Sequence, residues 1–287
     1  MSPLMCLLNL SDSEFFRVIT NPTISRALIV GALVSLCAAL LGVILVLKHY
    51  ALIGHGLGEV GFAATSIAAL LGLGQYPLVV AIPLVCLSSI LIMRIDQKSG
   101  VGGDVLIGMF STAALAVGVL ASVFTTGYSG VYNNMFGSIY GLTNTDLWVS
   151  VGLSVIVVCS FVLLYNRLFS VTYDETYARA TDMNADMYQF IISLLTSVAV
   201  VLGMRVMGAM MISSFIIFPA MTARRLAKSF KGMLVWAVIV ALISFFTGML
   251  ISYLVESVQL PTGACVVFVS VLIMLITFGI TSIRYKK

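Results

Sequence analysis

Long apolar runs separated by short polar stretches dominate the chain. Nine of them approach bilayer length: residues 27–47, 54–73, 77–93, 105–124, 147–165, 188–204, 206–222, 233–254 and 263–281. About 20 apolar residues in a helix cross a hydrocarbon core of about 30 Å, so each run predicts a membrane-spanning helix. The second and seventh are the most interrupted by polar residues. Ahead of the first run, the segment SDSEFFRVI offers Ser11 or Ser13 as a cap for one turn of interfacial helix. Two connections are the longest. Gly127–Asp146 contains NNMFGSIYGLTNTD, whose apolar spacing followed by turn residues fits a short helix, a re-entrant piece or, equally, a structured loop. Arg167–Asp186 reads RLFSVTYDETYARATDMNAD, in which Thr172 as N-cap with Glu175 three residues on predicts a capping box opening a short helix. Small Ala178 and Ala180 suit such a helix to docking a soluble partner, and a solvated connecting loop fits the same pattern.

Composition turns this pattern into a class. Hydrophobic residues make up 61% and charged residues 9% of 287, with mean hydropathy +1.14, which excludes an ordinary soluble domain. The expectation is an all-α polytopic protein, multi-pass in the cell (cytoplasmic or inner) membrane and surrounded by membrane lipid. A net charge of +4 spread along the chain gives no footprint for nucleic acid. Charge does set an orientation. With the amino terminus outside, 12 of the 15 Lys and Arg, including Lys48, Arg94, Arg167, Arg224, Arg225 and Lys228, fall in the cytoplasm, as the positive-inside rule prefers. The expected organisation is an extracytoplasmic or interfacial segment over 1–26, a transmembrane domain over 27–283 with a cytoplasmic insertion at 167–187, and a basic tail over 284–287. A cleaved signal peptide is not expected, because the first run follows a polar stretch and continues into further spans. The five cysteines lie singly, mostly within apolar runs, and indicate neither a disulfide framework nor a CxxC metal site. No Walker A loop, HExxH or GxSxG is present, so no catalytic residue is assigned.

One stretch departs from the apolar background. LIGHGLGEVGFAA, Leu52–Ala64, places His55 and Glu59 one helical turn apart on one face. An ionisable pair at membrane depth costs at least a few kcal/mol and marks a functional site by default. Imidazole nitrogen with carboxylate oxygen suits zinc, manganese or iron. The same spacing equally fits a structural arrangement, with Glu59 bonded to a polar group on a neighbouring helix and His55 hydrogen-bonded at an interface. In the seventh run, MGAMMISSFIIFPAMTARRL, Met207, Met210, Met211, Ser213 and Ser214 are candidate path-lining residues, and Pro219 marks a break or close approach. A methionine stripe is more often core filling.

Taken in order, LGVILVLKHYALIGHGLGEVGFAA, GDVLIGMFST, FGSIYGLTNTDLW, TYDETYARATDM, MGAMMISSFIIFPAMTARRL and LPTGACVVF resemble the permease subunit of ABC importers for zinc, manganese and iron, the ABC-3 family. The resemblance covers nearly the whole chain after about Ser25. It implies a fold similar to vitamin B12-type permeases lacking the first helix, and a homodimer bearing two ATPase subunits. It also implies an extracellular or periplasmic metal-binding protein that delivers the ion, with no permanently bound cofactor. Among zinc, manganese and iron, zinc is favoured as cargo because imidazole suits it slightly better than the harder manganese. Tyr173, Asp174, Glu175, Ala178, Arg179 and Asp182 would then belong to the segment that docks the ATPase. In that family the second helix usually opens with Asp and carries His four residues on. Here His55 and Glu59 reverse the order, Gln259 stands where an acid is common, and Asp182 where Gly is usual. The competing function is a secondary transporter driven by an ion gradient, with His55 and Glu59 as its proton-coupled site.

Overall fold

The structure is a computed structural model that describes residues 22–74, 76–99, 103–125, 144–181, 183–254 and 261–285, with 135 and 137 between them. The described residues form helices only: α1 (Pro22–Leu47), α2 (Ile53–Leu70), α3 (Pro77–Ser99), α4 (Gly103–Thr125), α5 (Asn144–Leu163), α6 (Tyr165–Tyr173), α7 (Glu175–Ala180), α8 (Ala185–Met207), α9 (Ala209–Leu226), α10 (Phe230–Leu254) and α11 (Thr262–Tyr285). Each of the nine expected runs coincides with one of the longer helices. The Ser11/Ser13 segment, and NNMFGSIYGLTNTD apart from Met135, Gly137 and its last residues, lie outside the described residues.

The expectation of nine spans narrows when each helix is judged alone. Among the described residues, six helices (α1, α3, α4, α8, α10 and α11) are long and apolar enough to cross a membrane, and α5 with α6, bent by 71° at their junction, makes up to seven. The two left over are α2 and α9, the runs with most polar residues. Their side chains explain the shortfall. α2 carries His55 and Glu59, α9 carries Ser213, Ser214, Arg224 and Arg225, and both helices lie against several others rather than facing lipid along their length. A helix sheathed by its neighbours need not be apolar all round.

α1 is the central post, with Val34, Cys37, Ala38, Leu41 and Ile44 almost wholly buried against α8, α9 and α10. It ends in a Schellman motif. The Tyr50 amide donates to the Leu45 carbonyl (2.9 Å) and the His49 amide to that of Val46 (3.4 Å), with His49 left-handed at φ 61°. The chain thus reverses directly into α2. At the far end of the bundle Gly208, at φ 91°, breaks α8 from α9, a conformation that side chains with a Cβ rarely adopt. Pro219 breaks nothing: α9 runs through it to Leu226.

The insertion after α5 is folded. Its expected capping box is displaced: Thr172 lies inside α6 and donates to the Leu168 carbonyl (2.6 Å), while Asp174 caps α7 by accepting from the Tyr177 amide (2.8 Å). Asp174 takes the role because it alone is extended, at φ −146° and ψ 94°, between two helices. An aromatic cluster fastens α6 to α10, with the Phe230 ring 5.6 Å from Tyr165, 5.2 Å from Phe169 and 6.0 Å from Tyr173. Arg167 adds a 2.8 Å hydrogen bond to the Tyr188 hydroxyl on α8.

Candidate functional site

α2 forms the heart of the site because its glycines let two neighbouring helices close on it. Ile107 of α4 lies over Gly56 and the Ala209 carbonyl of α9 lies over Gly58, where an added Cβ would come within 2.6 Å of that oxygen. α4 runs parallel to α2, so the register that sets Gly56 beside Ile107 brings Glu59 beside Ser111 one turn later. The Ser111 hydroxyl donates to Glu59 Oε2. The other oxygen, Oε1, faces His55 Nε2 at 3.4 Å.

Glu59 is therefore held on both sides. Its side chain is 6% exposed, against 42% for His55. The two side chains meet, and the carboxylate also has a polar partner on a neighbouring helix, as the structural arrangement expected. The geometry leaves one oxygen fixed by a neutral donor and the second, with the imidazole, free to share a cation. Among the described residues no third His, Cys, Asp or Glu joins them.

The seventh-run candidates divide. Ser213 is buried, its Cα beside Gly54, the residue next to His55, and Ser214 is half-buried. Met207 is sealed in the core at the α8–α9 break, its carbonyl against Gly263 of α11, and half-buried Met211 touches the same glycine. The side chain of Met210 is not among those described. In the insertion, Tyr173, Asp174, Thr176, Tyr177 and Arg179 are exposed, and Arg179 pairs with Asp186 at 2.6 Å. Ala178 is fully buried with Val171, Ala185 and Tyr188, so it anchors α7 rather than lining its outer surface. Asp182 and the Glu175 side chain lie outside the described residues.

Ser111 is the site residue that sequence reasoning passed over. It stood inside GDVLIGMFST, and a lone serine in an apolar run carries no signal of the carboxylate it meets 52 residues away.

Apolar helices stacked around a two-helix polar centre define a multi-pass protein of the cell membrane. The chain belongs to the ABC 3 transport family, whose profile matches residues 20–281. Among its relatives is the manganese import system permease protein ScaB of Streptococcus gordonii, 26% identical over 265 residues that cover 92% of this chain and 94% of that one. Another is the high-affinity zinc uptake system membrane protein ZnuB of Haemophilus influenzae, 28% identical over 249 residues, 86% of this chain and 94% of its own. The fold is that of PsaBC from Streptococcus pneumoniae, solved in complex with Fab, with a TM-score of 0.83 at 24% identity over 93% of this chain and 95% of the other.

Proposed function

We propose that this chain is the permease subunit of an ATP-driven importer of divalent transition metal, and that His55 and Glu59 take the ion in transit. The observation that carries this reading is the imidazole–carboxylate edge, its buried carboxylate steadied by Ser111. Family membership supports the transport role, and the relatives' names span manganese and zinc.

Imidazole as one of the two donors favours zinc slightly over the harder manganese. The imidazole nitrogen and carboxylate oxygen stand 3.4 Å apart, close enough to share one cation. One chain supplies two donors among its described residues, and a closed tetrahedral site takes four. A homodimer that faces two such edges completes the set, which agrees with the partly open histidine. In this reading the amino terminus lies outside, where a metal-binding protein delivers the ion. The 167–187 insertion lies in the cytoplasm, with Tyr173, Thr176, Tyr177 and Arg179 presented to the ATPase and Asp174 holding the shape of α7. Ser213 and Ser214 line the path beside the pair.

The test is metal uptake into vesicles containing this chain with and without its ATPase and ATP. Uptake of zinc that requires both, and is lost in His55→Ala and Glu59→Gln at normal assembly, is expected. Normal uptake by either variant would sink the assignment.

A further inference from the structure

At the basic end of the bundle, the close of α9 and the close of α11 leave an open cavity of about 850 Å³, lined by none of the residues assigned to the metal site. Arg224, Arg225 and Lys228 line it on one side, with Met221, Phe278 and Thr281 among the others. The Arg225 guanidinium lies 4.7 Å from the centre of the Phe278 ring, a cation–π contact that holds its planar face in place. Among the described residues no acidic side chain lines the cavity.

We propose that this cavity binds the phosphate of an anionic phospholipid, with the glycerol and acyl chains running down the adjoining surface of α11. Three observations converge. The position fits, because Phe278 and Thr281 stand at the end of the apolar stretch Thr262–Ser282, where headgroups meet hydrocarbon. The chemistry fits, because Arg224, Arg225 and Lys228 line one cavity, and arginine forks match phosphate oxygens. The surface below it fits, because Leu275 and Ile276, about a turn before Phe278 and Thr281 on α11, are exposed apolar side chains. A free phosphate satisfies only the second, and an acidic protein surface has no use for the third. Topology alone accounts for basic residues at this end, as at Arg94, but not for their gathering around a stacked aromatic ring.

The purified full-length chain is titrated with phosphatidylglycerol or phosphatidylcholine, and retained lipid is read by native mass spectrometry. Wild type retains phosphatidylglycerol preferentially. Replacing Arg224, Arg225 and Lys228 together by Gln lowers that preference on the order of 100-fold, at about tenfold or less per charge removed. Arg225→Lys keeps the charge that sets topology yet loses the fork and the stacking, and is expected to lose preference severalfold; Phe278→Leu does the same. Arg94→Gln, which removes a charge from the same end outside the cavity, leaves the preference intact. The proposal is overturned if Arg225→Lys and Phe278→Leu both retain lipid as wild type does. It is overturned equally if Arg94→Gln loses as much as the cavity variants, which marks diffuse charge, or if millimolar inorganic phosphate displaces the lipid, which marks a free-anion site.

Discussion

Replacing Ser111 by Ala removes a single hydroxyl from α4, and its consequence can be worked out from the geometry. That hydroxyl donates to Glu59 Oε2 in a buried setting. A hydrogen bond to an ionised acceptor contributes about 1.5–3 kcal/mol. At about 1.4 kcal/mol per decade, metal affinity should fall roughly 10- to 100-fold, the range usual when the supporting partner of a metal ligand is removed. Equilibrium binding of zinc to the purified chain measures this directly, with uptake in reconstituted vesicles as the functional readout. Ser111→Thr restores the hydroxyl and should recover most of the affinity. The reasoning fails if Ser111→Ala binds zinc as tightly as wild type. It fails also if the variant melts earlier while its affinity is unchanged, because Ser111 would then be serving the α2–α4 contact and not the carboxylate.

Gly58→Ala should lower thermal stability by about 1–3 kcal/mol, since the new methyl would meet the Ala209 carbonyl at 2.6 Å and drive α2 from α9; an unchanged melting curve would show that the two helices separate at little cost. Metal loading should weaken as pH falls, because protons compete with the cation for imidazole and carboxylate alike, and Glu59→Gln should alter that profile by removing one of the two competing groups. A flat profile, or an identical one in the variant, would make the pair structural. Cysteine at exposed Thr176 should crosslink to the ATPase in a nucleotide-dependent manner, whereas cysteine at buried Ala178 should not; the reverse pattern would mean that α7 docks through its other face.

What could be read from the residues, and what could not, follows from the range over which each signal acts. Hydropathy is a local average, so it located every long helix. The i, i+4 spacing is a property of one helix, so it put His55 and Glu59 on one face before any neighbour was known. Motif order along the chain was enough to recognise the family that the profile match establishes. The capping box failed on a local ambiguity: Thr172 and Asp174 are both good caps, and only the folded chain makes Asp174 the extended residue between α6 and α7.

The rest was settled between helices. No pattern within α2 or α9 announced that both would be enclosed by their neighbours, and the small residues that permit it are silent about which helix will come close. The glycines of α2 admit Ile107 of α4 and the Ala209 carbonyl of α9. The parallel register of α2 and α4 then delivers Ser111 to Glu59. Ala178 turned inward because Val171 and Tyr188 offered an apolar seat, and the cavity of Arg224, Arg225 and Lys228 exists because α11 places Phe278 over it. The sequence by itself determined the class, the helices and the presence of two ligand-bearing side chains on one face, since each depends on residues within a turn or two of one another. Only the tertiary structure decided what holds Glu59 and which charges share a cavity, because those partners meet through side-chain volume and register, which no single segment contains.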